Sequence, residues 1–470
     1  MFTRRRKSWK QSTWKQNGWN QSTWKRKNKR HSWVPLVLLL LGLPIGLELL
    51  ARLVVTLTGA SQQFEVTQSE QDRKVESYRL KFLSPAGQPY SKLPGSGELS
   101  AVRNSLMGYQ LAPQQKSQFW AINPQGFRDT DAVTPEKPPG EMRIFVLGGS
   151  MAFGQLSSSN QTTFAHQLEE LLNNQVARQR SSPSRFQPAV LPYLAEDVDK
   201  ALTLPPRIVD RQYRVINAAV PGYTSGNELA MLIQQVANYN PDLVILLDSY
   251  GDLVLPSSQS GADIPGIDQV LQGEVQEAQG LEAVKGEITH WFEQLYLVRG
   301  FRQYLLRSPQ PQPASTATLN LPIANVTLDQ ALAIDPAELD RRVDRYQNHL
   351  LQMVRWSSAT KKRLLIGIQP EISDRQSLTP EETVILSQLG TAYSEKIKAG
   401  YAELTAAADK VANTSPNVKL LDLHDLYAKT PEQAFQSPTS LTDAANQQLA
   451  EQFYQAIAPT LAIQPKPFGS

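Results

Sequence analysis

Five short apolar runs lie along the chain beyond residue 140, and each is followed by polar or turn-forming residues. Segments between the runs carry apolar residues at the three- and four-residue spacing of an amphipathic helix. Strands that are apolar throughout and alternate with helices are typical of a parallel sheet buried on both faces. The pattern therefore predicts an α/β fold with a three-layer, doubly wound, five-stranded parallel sheet. The predicted strands span residues 143–147, 214–218, 243–247, 364–368 and 418–423.

Two of the predicted helices can be placed from their own residues. Asp335 and Pro336 form a favourable helix start, because an Asp side chain caps free amides and proline fits the first turn. The apolar positions that follow share one face of that helix; they are Leu339, Val343, Tyr346, Leu350 and Met353. A second helix closes the domain, and its apolar face consists of Ala445, Leu449, Phe453 and Ile457.

An apolar segment at residues 33–57 precedes this domain. Its first fifteen residues are uncharged, and it then contains Glu48 and Arg52, which are four residues apart and can pair on a helix. About 25 residues are enough to span a bilayer with some tilt. The segment therefore predicts a single, uncleaved transmembrane helix at the N-terminus. A cleaved signal that ends near residues 58–60 and a buried soluble helix are the alternatives.

Charge is divided unevenly along the chain. Residues 1–32 contain eleven Lys or Arg and no acidic residue, whereas the chain beyond residue 57 contains 35 basic and 43 acidic residues. A positive flank ahead of an apolar helix predicts a cytoplasmic amino terminus. The main domain is then expected to be exported to a compartment of the periplasmic kind.

The basic tail is also repetitive. Trp9, Trp14, Trp19 and Trp24 recur every five residues, a spacing that does not align them on one helical face. Lys, Arg and Trp suit the surface of an anionic lipid leaflet, and the neighbouring membrane segment favours that partner. Basic and aromatic residues also suit nucleic acid, but this partner is disfavoured beside a membrane span. A tail that is merely solvated is the third alternative.

The segment Gly148-Gly149-Ser150, at the end of the first predicted strand, is the main candidate for chemistry. Glycines let the backbone turn sharply and let a ligand approach closely. The serine hydroxyl would then stand at the carboxyl edge of the sheet, ahead of an amphipathic helix. A plain tight turn is the alternative interpretation of the same residues.

Four short blocks resemble those of the SGNH/GDSL hydrolases over roughly residues 123–461. In that family the first block ends in the nucleophilic serine, here Ser150, and the second supplies a glycine amide to the oxyanion, here Gly222. The third block carries an oxyanion-binding asparagine, and Gly251 stands in its place. The last block carries the acid and the histidine of the triad, and Ser437 and Ser440 stand in their places. The resemblance implies a flavodoxin-like fold and ester or O-acyl chemistry on carbohydrate or lipid.

These replacements remove most of the machinery that the family uses. A serine hydroxyl is a weak nucleophile and needs a base within hydrogen-bond reach. Loss of one oxyanion donor typically costs about 100–1,000-fold in rate, and loss of a serine–histidine pair costs roughly a million-fold. Ser440 cannot act as a base. The sequence therefore predicts an inactive or weakly active enzyme.

A displaced base would have to come from one of the five histidines. His31 lies in the basic tail, and His166 and His349 are expected to be surface or packing residues. His290, in a predicted insertion, and His424, after the fifth predicted strand, are the candidates that remain. The sequence alone does not place either of them near Ser150.

Composition and missing motifs exclude several kinds of chemistry. The chain contains no cysteine, which excludes disulfides, thiolate-ligated metals and thiol nucleophiles. The sequence has no glycine-rich phosphate loop, dinucleotide fingerprint, His-Glu-x-x-His motif or carboxylate-rich metal cluster. No cofactor and no metal are therefore expected.

The leading hypothesis is a catalytically impaired envelope protein that binds acylated glycan or lipid, or helps to assemble it, with an envelope glycan or protein as partner. The alternatives are an active serine esterase or O-acyltransferase that uses Ser150 with a displaced base, and a structural membrane tether. The predicted parts are a cytoplasmic tail (1–32), the anchor (33–57), a stalk with an N-terminal extension (58–140) and the SGNH-hydrolase-like domain (141–465), with insertions at 175–210 and 256–325.

Overall fold

A computed structural model describes residues 70–90, 97–271, 328–333 and 335–469. The predicted tail and anchor, most of the predicted insertion 256–325, and His290 lie outside these residues. None of the helices within the described ranges is long and apolar enough to cross a membrane. The predicted transmembrane segment therefore stays a prediction.

Strands and helices alternate from residue 141 onward. The strands are β1 (Leu80–Leu83), β2 (Leu99–Asn104), β3 (Gly108–Leu111), β4 (Gln115–Lys116), β5 (Ala121–Ile122), β6 (Glu141–Gly148), β7 (Gln212–Asn217), β8 (Leu243–Asp248), β9 (Arg363–Ile368), β10 (Val418–Asp422), β11 (Phe435–Ser437) and β12 (Ser440–Leu441). The helices are α1 (Glu70–Tyr78), α2 (Ser150–Phe153), α3 (Phe164–Ser181), α4 (Ala195–Leu202), α5 (Ser225–Gln234), α6 (Tyr250–Val254), α7 (Ile267–Leu271), α8 (Leu328–Ala331), α9 (Pro336–Thr360), α10 (Pro380–Ser387), α11 (Tyr393–Ala412) and α12 (Asp443–Ile457).

The central sheet contains five strands in the order β10-β9-β8-β6-β7, and every neighbouring pair is parallel. Counted from β6 along the chain, this order is 2-1-3-4-5, which is the flavodoxin-like arrangement. The predicted doubly wound sheet is thus confirmed. Each predicted apolar run coincides with one of these strands to within two residues at either end.

The sheet is enclosed by two groups of helices. Every residue of β6 from Arg143 to Gly148 is buried, so neither face of this strand is open to solvent. Helix α3 packs against α12, whereas α9 packs against α5 and α11. Helices on both faces of a parallel sheet explain why its strands read as continuous apolar runs rather than alternating ones.

The two helices that were predicted from a helix-start signal and from their apolar faces are confirmed. The Asp335 side chain accepts a hydrogen bond from the Glu338 amide at 2.8 Å and caps α9. Three of the predicted stripe positions are fully buried and two are partly buried, which sets the face that α9 turns to its neighbours. In α12 the four predicted positions are at most 3% exposed.

The residues before the central sheet pack on the domain. β1 pairs parallel with β2, and β2 pairs antiparallel with β3. The Tyr109 hydroxyl donates to the Pro221 carbonyl at 2.8 Å, and the Trp120 indole donates to the Ser77 carbonyl at 3.0 Å. The first of these bonds ties the N-terminal extension to the loop after β7.

Strand β6 lies between β7 and β8. The chain adds β7 on one side of β6 and then continues with β8 on the other side, so the strand order reverses at β6. In open parallel sheets, ligands bind beyond the carboxyl ends of the strands at such a reversal. Ser150 follows the carboxyl end of β6, and Ser249 follows that of β8. The topology therefore makes the ends of β6 and β8 the expected binding position.

Candidate active site

Ser150 is the first residue of α2 and lies directly beyond β6. The turn into α2 requires glycine, because Gly148 has a φ of 152° and a Cβ there would lie 2.3 Å from the Leu247 carbonyl oxygen of β8. Ser150 is 5% exposed. Among the described residues, no histidine is hydrogen-bonded to its hydroxyl.

Gly222 reaches the same edge through the loop after β7. The Ala218 amide donates to the Val146 carbonyl at 2.9 Å, and the Val220 amide donates to the Gly148 carbonyl at 3.1 Å. These bonds lay the loop along the end of β6. Gly222 itself has a φ of 83°, a conformation that favours glycine. The loop thus brings its backbone close to the turn that carries Ser150.

Gly251 lies in α6 and faces the same loop. A Cβ at this position would lie 2.8 Å from the Tyr223 carbonyl oxygen and 3.0 Å from Cγ2 of Thr224. Such distances leave no room for a side chain unless the loop moves. The position where the resemblance expects an asparagine is therefore closed by the backbone in front of it.

We expect Gly251→Asn to lower the free energy of unfolding by about 1–3 kcal/mol, because the larger side chain overpacks against Tyr223. Chemical denaturation measures the change. Gly140→Asn is a control for the same residue change, since nothing lies within 4 Å of its Cβ position. Unlike Gly251, Gly140 has a positive φ, of 81°, a conformation that Asn tolerates better than most residues. A Gly251→Asn variant as stable as the control would contradict this prediction.

Ser437 and Ser440 face each other across the β11–β12 hairpin, and both are fully buried. The Ser440 hydroxyl donates to Oε1 of Gln155 at 3.3 Å, and the Ser437 hydroxyl accepts from the Thr439 amide at 3.2 Å. The backbone amide of Gln155 donates to the Ser150 carbonyl at 3.0 Å. Ser440 therefore lies close to the turn of Ser150, with its proton donated to an amide oxygen.

A serine, a histidine and an aspartate meet elsewhere in the fold, a cluster that the sequence reasoning missed. The Ser225 hydroxyl donates to Oδ1 of Asp252 at 2.6 Å and lies 2.9 Å from Nδ1 of His349. Because the hydroxyl proton goes to the carboxylate, His349 must donate to the serine oxygen. Burial lowers the pKa of His349. In an activating triad the serine hydroxyl donates to the histidine, whereas here the histidine donates to the serine. The cluster therefore does not activate Ser225, and its hydrogen bonds join α5, α6 and α9.

The other described histidines are also engaged away from Ser150. Nδ1 of His424 lies 2.8 Å from Oδ1 of Asp422. Burial opposes the charged form of His424, but the hydrogen bond and negative charge of Asp422 outweigh it and raise the pKa. Nε2 of His166 lies 3.6 Å from Oε1 of Glu170 on α3. Within the described ranges, no group of three or more His, Asp or Glu side chains is placed to hold a metal ion.

A buried ion pair holds the segment that leads into β11. Nη2 of Arg375 lies 2.9 Å from Oε2 of Glu382, and both side chains are fully buried. Oε1 of Glu382 accepts from the amides of Ala434 and Phe435 at 2.9 and 3.1 Å. The pair therefore positions the hairpin of the last sequence block. The helix-start pattern at 379–382 predicts a capping role for Glu382, but nothing local predicts its contacts with β11.

Arg128 holds the other side of the site. Its guanidinium donates to the carbonyls of Phe153 and Gly154 at 3.0 and 2.7 Å, and to the Tyr78 hydroxyl at 2.6 Å. The side chain also lies over the ring of Phe153. These bonds fix the backbone that follows Ser150, so Arg128 is a positioning residue for the turn.

A buried carboxyl group lies just beyond β9. Oε1 of Glu371 accepts from the Tyr393 hydroxyl at 3.0 Å, and that hydroxyl lies 3.2 Å from the hydroxyl of Tyr250. Burial raises the pKa of Glu371 to about 8, against the opposing effect of its hydrogen bonds. The site edge therefore contains a carboxyl group that is mostly protonated at neutral pH.

No family model matches the sequence, and a search of the curated proteins finds no match either. Solved structures to which the chain is similar include the acetyl xylan esterase AlAXEase (10% identity over 67% of this chain and 100% of that one, TM-score 0.33). Others are a lipase/acylhydrolase from Enterococcus faecalis (13%, 69% and 98%, 0.32) and a catalytic mutant of Axe2, an acetylxylan esterase from Geobacillus stearothermophilus (11%, 69% and 97%, 0.32). The function of this chain is therefore inferred from its own residues.

Proposed function

We propose that this protein is a membrane-anchored, SGNH/GDSL-hydrolase-like protein of the cell envelope that binds or helps to assemble acylated glycan or lipid without hydrolysing it. The hydrogen bond between Ser440 and Gln155 carries the proposal. At the position that the resemblance assigns to the histidine base stands Ser440, a buried hydroxyl whose proton is already donated. Ser150 has no base among its described neighbours, so it lacks the activation that a serine nucleophile needs.

A binding role uses what remains at the sheet edge. Ser150 begins α2, and Gly222 lies in the loop beside it, at the point where strand order reverses. Backbone amides in such a place suit a carbonyl oxygen, with or without a base to start chemistry. The envelope location rests on the apolar segment at residues 33–57 and on the basic tail before it.

The loss of catalysis is tested by labelling the full chain with a fluorophosphonate probe in detergent. Such probes report an activated serine whatever its natural substrate. We expect the wild-type chain to be labelled no faster than Ser150→Ala, while an active serine esterase in the same detergent is labelled rapidly. Rapid labelling that disappears in Ser150→Ala would reject the proposal in favour of an active esterase or acyltransferase with a displaced base.

The binding role is tested separately by calorimetry on the full chain. We expect an O-acetylated xylo-oligosaccharide to bind and its deacetylated form to bind much more weakly. Equal binding of the two forms, or none of either, would reject a role in recognising acylated glycan.

A further inference from the structure

Four buried polar side chains at the carboxyl edge each have an atom without a hydrogen-bond partner in the part of the chain that the structure describes. These atoms are Nε2 of Gln155, Oγ of Ser249, Nε2 of Gln369 and Oε2 of Glu371. The four side chains are at most 2% exposed. Buried polar atoms in folded proteins are nearly always paired, with protein, water or ligand. Their concentration at one edge of the sheet therefore points to something that they bind.

The sheet register places two of these residues in one row with Ser150. The last paired residues of the three central strands are Gly148 with Leu247, and Asp248 with Ile368. Ser150, Ser249 and Gln369 follow these strand ends by one or two residues. Because neighbouring parallel strands lie about 4.8 Å apart, Ser249 stands between Ser150 and Gln369.

Ser249 is also held in an unfavourable backbone conformation. Its φ of 145° is one that residues with a side chain rarely adopt. Such strain persists where the surrounding structure imposes it, and it is frequent at ligand sites. A strained residue with an unpaired hydroxyl, next to Ser150, is therefore an observation independent of the sequence blocks.

The chemistry of these four unpaired side chains selects the ligand. Gln155 and Gln369 supply primary amides and Ser249 a hydroxyl, which are hydrogen-bond donors without a positive charge, and the fourth group is the carboxyl of Glu371. An anion such as phosphate would be taken out of water without a compensating cation, which is costly. An uncharged acceptor oxygen avoids that cost.

We propose that Ser249 and Gln369 donate hydrogen bonds to the carbonyl oxygen of the ligand's acyl group, and so take over the role of the donor that is missing at Gly251. The inference rests on the proposed binding function and adds to it which residues recognise the acyl group. Gln155, whose Oε1 accepts from Ser440, also has an unpaired Nε2.

The test compares full-chain variants in calorimetry with the O-acetylated xylo-oligosaccharide. Ser249→Gly and Gln369→Leu are each expected to weaken binding about 5–10-fold, since each removes one hydrogen bond to an uncharged group. Ser249→Gly should also raise Tm by a few degrees, because glycine accepts the backbone conformation and leaves no unpaired hydroxyl.

Asn240→Gly is the matched control, because Asn240 has a positive φ of 49° ahead of the opposite end of β8. It is expected to leave binding unchanged. If the wild-type chain binds and both variants bind equally well, the inference is wrong while the proposed function stands. A lowered Tm in Ser249→Gly would also overturn it, as a sign of a structural role. If the wild-type chain itself does not bind, the proposed function fails and the inference fails with it.

Discussion

Glu382→Gln is expected to lower the free energy of unfolding by about 3–5 kcal/mol, because it leaves the charge of Arg375 buried without its counter-ion. The two side chains are fully buried, and the guanidinium donates to Glu382 through both Nε and Nη2. Neutralising the carboxylate also weakens the bonds from the Ala434 and Phe435 amides, which are charge-assisted in the wild-type chain.

Urea denaturation of the wild-type and variant chains measures this loss. Glu381→Gln is the matched control, since Glu381 is the exposed neighbour on the same first turn of α10 and its replacement should change stability by no more than about 0.5 kcal/mol. Equal stability of the two variants would mean that the buried pair contributes far less than its burial implies.

The same ion pair shows where sequence reasoning ends. The long apolar strands could be predicted, because a strand buried on both faces carries its signal in consecutive residues. Arg375 instead donates to carbonyls of Tyr427, Thr430 and Glu432, more than fifty residues away. No local pattern marks partners at that distance, since they are set by how the chain returns to the sheet edge.

The candidate site, like the ion pair, could be predicted from the sequence only in part. Motif spacing brought Ser150, Gly222 and Ser440 to consideration, and the structure lays all three along the carboxyl edge. Spacing could not reveal that a Cβ at Gly251 would meet the Tyr223 carbonyl, because that is a tertiary contact. It also could not single out Ser249, whose unpaired hydroxyl and backbone strain exist only in the folded chain.

Glu371 is expected to make the protein less stable as pH rises from about 4.5 to 8. The carboxyl has an ordinary pKa of 4.5, which applies to the unfolded chain, and burial raises it to about 8 in the folded chain. Between these values the folded chain binds a proton that the unfolded chain has released. The free energy of unfolding then falls with increasing pH, by about 1.4 kcal/mol per pH unit for one such group.

Glu371→Gln should remove this contribution, because the amide is uncharged at every pH and close in shape to the protonated carboxyl. The free energy of unfolding of wild-type and variant chains is measured at pH 5, 6, 7 and 8, and the difference between them isolates residue 371 from the other titrating groups. Glu403→Gln, on an exposed position of α11, should follow the wild-type curve. Parallel curves for wild-type and Glu371→Gln would show that the carboxyl is already ionised in the folded chain. The expected result is instead a difference that grows with pH, since only the wild-type chain must keep a proton on a group sealed from water.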